Sequence, residues 1–134
     1  MSLNAKGHEL SVWYVEPDGS NVGRILAAMA ANRQFIDKID YFVFDEAIVT
    51  TCGLTMRVTA GRLPDEFASQ TWHRDVIHLT GRKLVEFAEC LAGNDSKRHQ
   101  PTEIEEALQS AVQAGHIKRE EIPTELRAKL AWLT

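Results

Sequence analysis

The amino-acid sequence predicts an α+β fold: a small, mostly antiparallel sheet with packed helices and a C-terminal helical hairpin. Three observations predict it. Leu54, Met56, Val58 and Ala60 alternate with Thr55, Arg57 and Thr59, the period of a half-buried strand. Val22, Ile25, Leu26, Met29 and Ala30 recur at the spacing of one helix face. The last third of the chain carries two further helical stripes, separated and bounded by proline, glycine and capping residues.

Taken in order, Ser11-Val12-Trp13-Tyr14-Val15 is β-branched and aromatic and predicts a strand that ends in the turn Glu16-Pro17-Asp18-Gly19. A helix follows at once, with Ser20 or Asn21 able to accept from the amides of its first turn. The small residues Ala27, Ala28, Ala30 and Ala31 let that helix sit close to a sheet. Asn32 to Lys38 either extend it or form a second turn. Tyr41-Phe42-Val43-Phe44 and Ile48-Val49-Thr50-Thr51 continue in β character, and Gly53 breaks the run before the alternating segment. Two antiparallel strands joined near Cys52-Gly53 are therefore expected. Gly61 and Pro64 close the second of them, and Asp65 to Gln70 predicts a short helix. The segment His73 to His78 fits helix or strand, with the Asp75–Leu79 part readable as a strand.

After Thr80-Gly81, the residues Leu84, Phe87, Ala88 and Leu91 mark an amphipathic helix ended by Gly93. Residues 94–101 read as a polar connection, which makes 1–93 a sheet domain, with 1–9 expected to be disordered. In 102–134, Thr102 and Glu105 have the spacing of a capping box, Ile104, Ala107, Leu108, Ala111 and Val112 form a stripe, and Gly115 ends it. Pro123 then starts a last helix with Leu126, Leu130 and Leu133 on one side and Trp132 beside them. The hairpin is expected to pack on the domain or on a second subunit.

Composition narrows the function. A chain of 134 residues with 44% hydrophobic and 25% charged residues is long enough for one core without disulfides or a structural metal. The net charge of −4 is spread evenly, and the basic runs Lys97-Arg98-His99 and Lys118-Arg119 are too short for a phosphate-backbone footprint, so no nucleic-acid partner is expected. The apolar run Val22–Ala31 is far short of the roughly 20 residues of a membrane span. Two cysteines and no secretion leader make the cytoplasm the expected location.

Candidate site residues are few. His73, Asp75 and His78 supply imidazole and carboxylate within six positions, the groups that carry protons or bind metal near neutral pH. On a strand His73 and Asp75 share a face; on a helix Asp75 and His78 do. Neither supplies three ligands, so no metal site and no cofactor are expected. Cys52, beside a glycine, is a candidate nucleophile if His73 or His78 reaches it. Arg57, Arg62 and Arg74 are candidates for holding an anion, and Asp45 and Glu46 are the acids that would accompany them in a ligand site. With no assembled catalytic signature and an apolar hairpin to cover, the sequence favours a non-enzymatic protein-binding, regulatory or assembly domain that forms a homodimer through Leu126, Leu130, Trp132 and Leu133, or that binds another protein. A small hydrolase or metal-dependent enzyme using His73, Asp75 and His78 with Asp45 or Glu46 is the alternative. A domain that binds a small molecule between sheet and helices is the third.

Overall fold

The structure, a computed structural model, describes residues 10–93 and 96–133. Their order is β1 (Leu10–Trp13), α1 (Val22–Ala31), β2 (Ile39–Phe42), α2 (Ala47–Thr51), β3 (Thr55–Val58), α3 (Glu66–Thr71), β4 (His73–Ile77), α4 (Gly81–Ala92), β5 (Ser96–His99), α5 (Pro101–Gln113) and α6 (Thr124–Lys129). Single 3-10 turns lie at Arg119–Glu121 and Ala131–Leu133. The strands form two small antiparallel sheets, one in the order β1-β4-β3 and the other pairing β2 with β5. This is the α+β class expected. The segment 1–9, expected to be disordered, lies outside the described residues.

Val49 and Ile48 correct the first expectation. The run Ile48-Val49-Thr50-Thr51 is helical, because Asp45 starts a turn in which its carboxylate accepts from the Ala47 amide at 2.8 Å and its carbonyl from the Ile48 amide at 3.0 Å. One helical turn then carries Val49, 2% exposed, into the cluster that holds Val76, Phe87 and Leu91. Burial there outweighs the β preference of a branched run. Gly53, at φ +70°, turns the chain out of this helix, and β3 pairs with β4 instead of with residues 41–51.

The polar connection expected at 94–101 contains a strand. β5 binds β2 with Asp40 opposite Arg98 and Tyr41 opposite Lys97. The Arg98 guanidinium donates to both oxygens of Asp40, at 2.6 and 3.0 Å, and this fork holds the Asp40 carboxyl below its ordinary value. A carboxyl depressed in the folded state favours folding above the unfolded-state midpoint, and that help is lost as pH falls through the folded midpoint. NMR titration of Asp40 is expected to give a midpoint below that of an ordinary aspartate, and Arg98→Gln is expected to raise it. An unmoved midpoint would show that the fork does not form in solution.

The last helices also differ in detail. The capping residues of α5 sit two positions before those expected, with Glu103 accepting from the Gln100 amide at 3.1 Å, because Pro101 already occupies the first helical position. Leu126, Leu130 and Leu133 are buried with Leu108, Ala111, Ile117 and Ile122 against Ala27 and Ala31 of α1. The alanine face of α1 thus packs on α5, not on a sheet. Its next face, Leu26 and Ala30, meets Ile39 of β2 and Ile104 of α5.

Candidate functional site

β4 is the central strand of its sheet, and its alternation sorts the candidates. Val76 faces inward with Leu10 and Met56. His73 and Asp75 face the other way, where Ser11, Asp75 and Arg57 stand in one row across three strands and Trp13 stands opposite His73. His78 follows the strand at φ +63° and is exposed, so it does not join them.

Thr59 completes a small polar network that sequence reasoning missed. Its hydroxyl donates to Asp75 Oδ2 at 2.7 Å, and its carbonyl lies 3.0 Å from His73 Nδ1. A carbonyl only accepts, so Nδ1 must carry the proton and cannot take one from the Thr59 hydroxyl. Nε2 lies 3.9 Å from Asp75 Oδ1, beyond hydrogen-bond reach. His73 is 7% exposed, with Trp13 edge-on at 5.1 Å and Gly61 laid so close that a Cβ there would sit 3.1 Å from the ring. The arrangement ties β4 to the loop after β3.

The other candidates scatter. Arg74 points to the opposite face, donating to the Thr71 and His73 carbonyls at 2.7 and 3.0 Å with its guanidinium over Tyr14. Arg62 is exposed on the loop after β3, while Asp45 and Glu46 open α2. Among the described residues, the three arginines thus stand on different faces and elements from these acids. Asp65 pairs instead with Arg24, which donates to both its oxygens at 2.6 and 3.0 Å and lies over the rings of Phe67 and Trp72. Cys52 has no hydrogen bond to either histidine among the described residues; its sulfur meets that of Cys90 at 3.1 Å. No group of three or more His, Cys, Asp or Glu side chains suited to a metal gathers among the described residues.

A partly enclosed, largely apolar concavity lies elsewhere. α1 spans the gap between β1 and β2, and beneath it is a cavity of about 340 Å³. Val22, Ile25, Leu26 and Met29 of α1 form its roof, every residue of β1 and β2 contributes to its walls, and Val43, Phe44 and Leu91 close it. Neither strand is paired with the other, so each turns its second edge toward this space. The polar contributions are Ser11, Arg33, Asp40 and Tyr41. Asp40 is committed to Arg98. Tyr41 is committed as well: its hydroxyl lies 2.8 Å from His99 Nε2, whose other nitrogen faces Glu103 at 3.4 Å. Burial, together with the Glu103 charge, pushes the Tyr41 phenol up, so it keeps its proton and serves as a wall. Arg33 has no ion pair or side-chain hydrogen bond among the described residues.

A second concavity, an open groove of about 610 Å³, runs between the start of α1 and the end of α5 over Gly23, Ala107, Ala111 and Ala114, with Arg24 and Trp72 at one side. Among the described residues, no helix is long and apolar enough to cross a membrane. In comparisons with known proteins, the chain matches no family model, no curated protein and no solved structure.

Proposed function

We propose that the chain is a non-enzymatic binding domain whose ligand is a small molecule with an apolar body and an anionic group, held under α1 between β1 and β2. One observation carries this reading: protein interiors are close-packed, yet a cavity of about 340 Å³ stands at the meeting of three elements, walled mainly by apolar side chains. That volume falls in the range of ligand pockets, roughly 300–1,000 Å³, and a few placed polar groups are what such pockets use for orientation. Arg33, the cation not engaged elsewhere among the described residues, suits a carboxylate or sulfonate.

Two naphthylamine dyes test both halves of the proposal. 1-Anilinonaphthalene-8-sulfonate carries an anion, and N-phenyl-1-naphthylamine is its neutral counterpart. Both are expected to bind the folded protein, with quenching of Trp13, which lines the cavity. Met29→Trp is expected to fill the space and weaken both dyes at least tenfold. Arg33→Gln is expected to weaken only the anionic one, by roughly threefold to tenfold, the scale of a partly exposed charged hydrogen bond. Equal binding of both dyes to Met29→Trp would place them elsewhere and end this reading.

Association with another protein or a second copy has its own support in Phe67, 53% exposed and stacked with Arg24 at the side of the open groove. Large exposed aromatic side chains beside a groove of small residues are what an interface anchor requires. Light scattering across the micromolar range tests self-association. A mass of 15.0 kDa throughout removes the second copy, whereas a dimer lost in Phe67→Ser locates the contact there.

A further inference from the structure

Cys52 and Cys90 lie 38 positions apart in sequence, and nothing in their spacing links them. The fold brings them together. Cys52 caps the C-terminal end of α2, where the chain turns at Gly53, and Cys90 lies in the last turns of α4. Their sulfurs are 3.1 Å apart, at the end of a packing contact in which Val49 of α2 and Phe87 and Leu91 of α4 share one buried cluster. Lys83 adds a second tie between the elements, donating to the Gly53 carbonyl at 2.9 Å. Two thiols on separate elements are thus held in contact by the core that α2 and α4 share, against which Cys52 itself packs. No disulfide joins them.

We propose that Cys52 and Cys90 form a dithiol oxidation site that reacts with a hydroperoxide to give an intramolecular disulfide. A disulfide needs its sulfurs at ~2.0 Å, about 1 Å closer than they stand, a change that rotation about the two Cα–Cβ bonds supplies without unfolding either element. Cys90 is the more exposed of the two residues, and Cys52 keeps its proton because the contact with Cys90, then burial, pushes its thiol up. The reaction therefore starts at Cys90. The Cys90 thiol gives up its proton, its thiolate attacks one peroxide oxygen, the O–O bond breaks, and the departing hydroxide or alkoxide takes that proton, leaving a sulfenic acid on Cys90 and water, or an alcohol from an organic hydroperoxide. Cys52 sulfur then attacks Cys90 sulfur, the S–O bond breaks, and the departing hydroxide takes the Cys52 proton as water. In sum two thiols lose two electrons and two protons, and the peroxide is reduced. The disulfide ties α2 to α4, and a thiol reductant reverses it.

The test uses the whole chain at low micromolar concentration, treated with hydrogen peroxide and then with N-ethylmaleimide under denaturing conditions, and read by intact mass. The reduced protein takes two labels. Limited peroxide is expected to remove both labels together, leaving a monomer two hydrogens lighter whose peptide map joins Cys52 to Cys90 and whose labelling dithiothreitol restores. In Cys52→Ser, Cys90 is expected to carry one added oxygen or to keep its label, with no loss of two hydrogens. A covalent dimer, direct conversion of both cysteines to sulfinic acids, or full labelling after peroxide has been consumed each overturns the proposal.

Discussion

Asp65→Ala is expected to lower the free energy of unfolding by about 3–5 kcal/mol, the cost of removing one member of a buried ion pair, and to place its effect at the joint between α1 and α3. The Asp65 side chain is fully buried, while that of Arg24 is 23% exposed. Besides the two bonds from Arg24, the carboxylate accepts from the Ala68 amide at 3.1 Å and so caps α3, a contribution of ~1 kcal/mol by itself. Backbone adds to this. Asp65 sits at φ +83°, a region where a Cβ is strained unless a short polar side chain bonds locally, which Asp65 does. Three replacements separate the parts. Asp65→Asn keeps the cap and the volume but loses the charge, and is expected to cost about half as much as alanine. Asp65→Gly loses both contacts but relieves the backbone, and is expected to be ~1 kcal/mol milder than alanine. Denaturant unfolding measures all three. An asparagine variant as stable as the wild type would mean that the charge contributes nothing and that Arg24 simply turns to water.

Which parts of this fold could be read from the chain depends on where each element's information resides. α4 and α5 each carry an apolar stripe and a local stop, Gly93 or Gly115, and both appear where expected. α2 has no such code. Five residues rich in β-branched side chains are helical because Asp45 sets a turn and Val49 fills a hole beneath α4, and the second fact depends on residues almost forty positions away. β5 is hidden for the opposite reason. Ser96-Lys97-Arg98-His99 has no apolar face to show a period, and its pairing rests on Asp40 and Tyr41, each 58 residues distant. Ile117 and Ile122, both 1% exposed, flank the charged turn Lys118 to Glu121, and it is that turn that draws attention in the sequence.

The site divides in the same way. That His73 and Asp75 share a face follows from strand alternation once the segment is known to be a strand. That Thr59 bonds to both depends on a loop folding back over β4. The cavity is less legible still, since its lining comes from three separate stretches, 10–15, 22–33 and 39–44, with Leu91 of α4, and nothing in the sequence says that they meet. The cysteine pair is a contact between two helix ends, visible only when α2 is recognised as a helix.

Leu130→Asp is expected to unfold the entire chain and not merely to detach the C-terminal hairpin. Leu130 is 5% exposed and packs in the cluster that joins the hairpin to Ala27 and Ala31 of α1. Removing a buried leucine of this kind costs about 2–5 kcal/mol, and an unpaired carboxylate in its place adds a desolvation penalty of similar size unless it protonates. The sum approaches the whole stability of a domain, roughly 5–15 kcal/mol. The damage has no natural boundary. α1 faces the hairpin on one side and Ile39 of β2 on another, and its remaining apolar residues roof the cavity against β1, so loosening the hairpin withdraws support from both sheets. Guanidinium titrations followed by far-ultraviolet circular dichroism and by tryptophan fluorescence are expected to coincide for the wild type and to shift together, to much lower denaturant, for Leu130→Asp. Two separated transitions, with the sheet signal surviving loss of the helices, would mean that the hairpin folds as its own unit. In that case its leucines are available to a second subunit, and self-association through Leu126, Leu130 and Leu133 returns as the better reading.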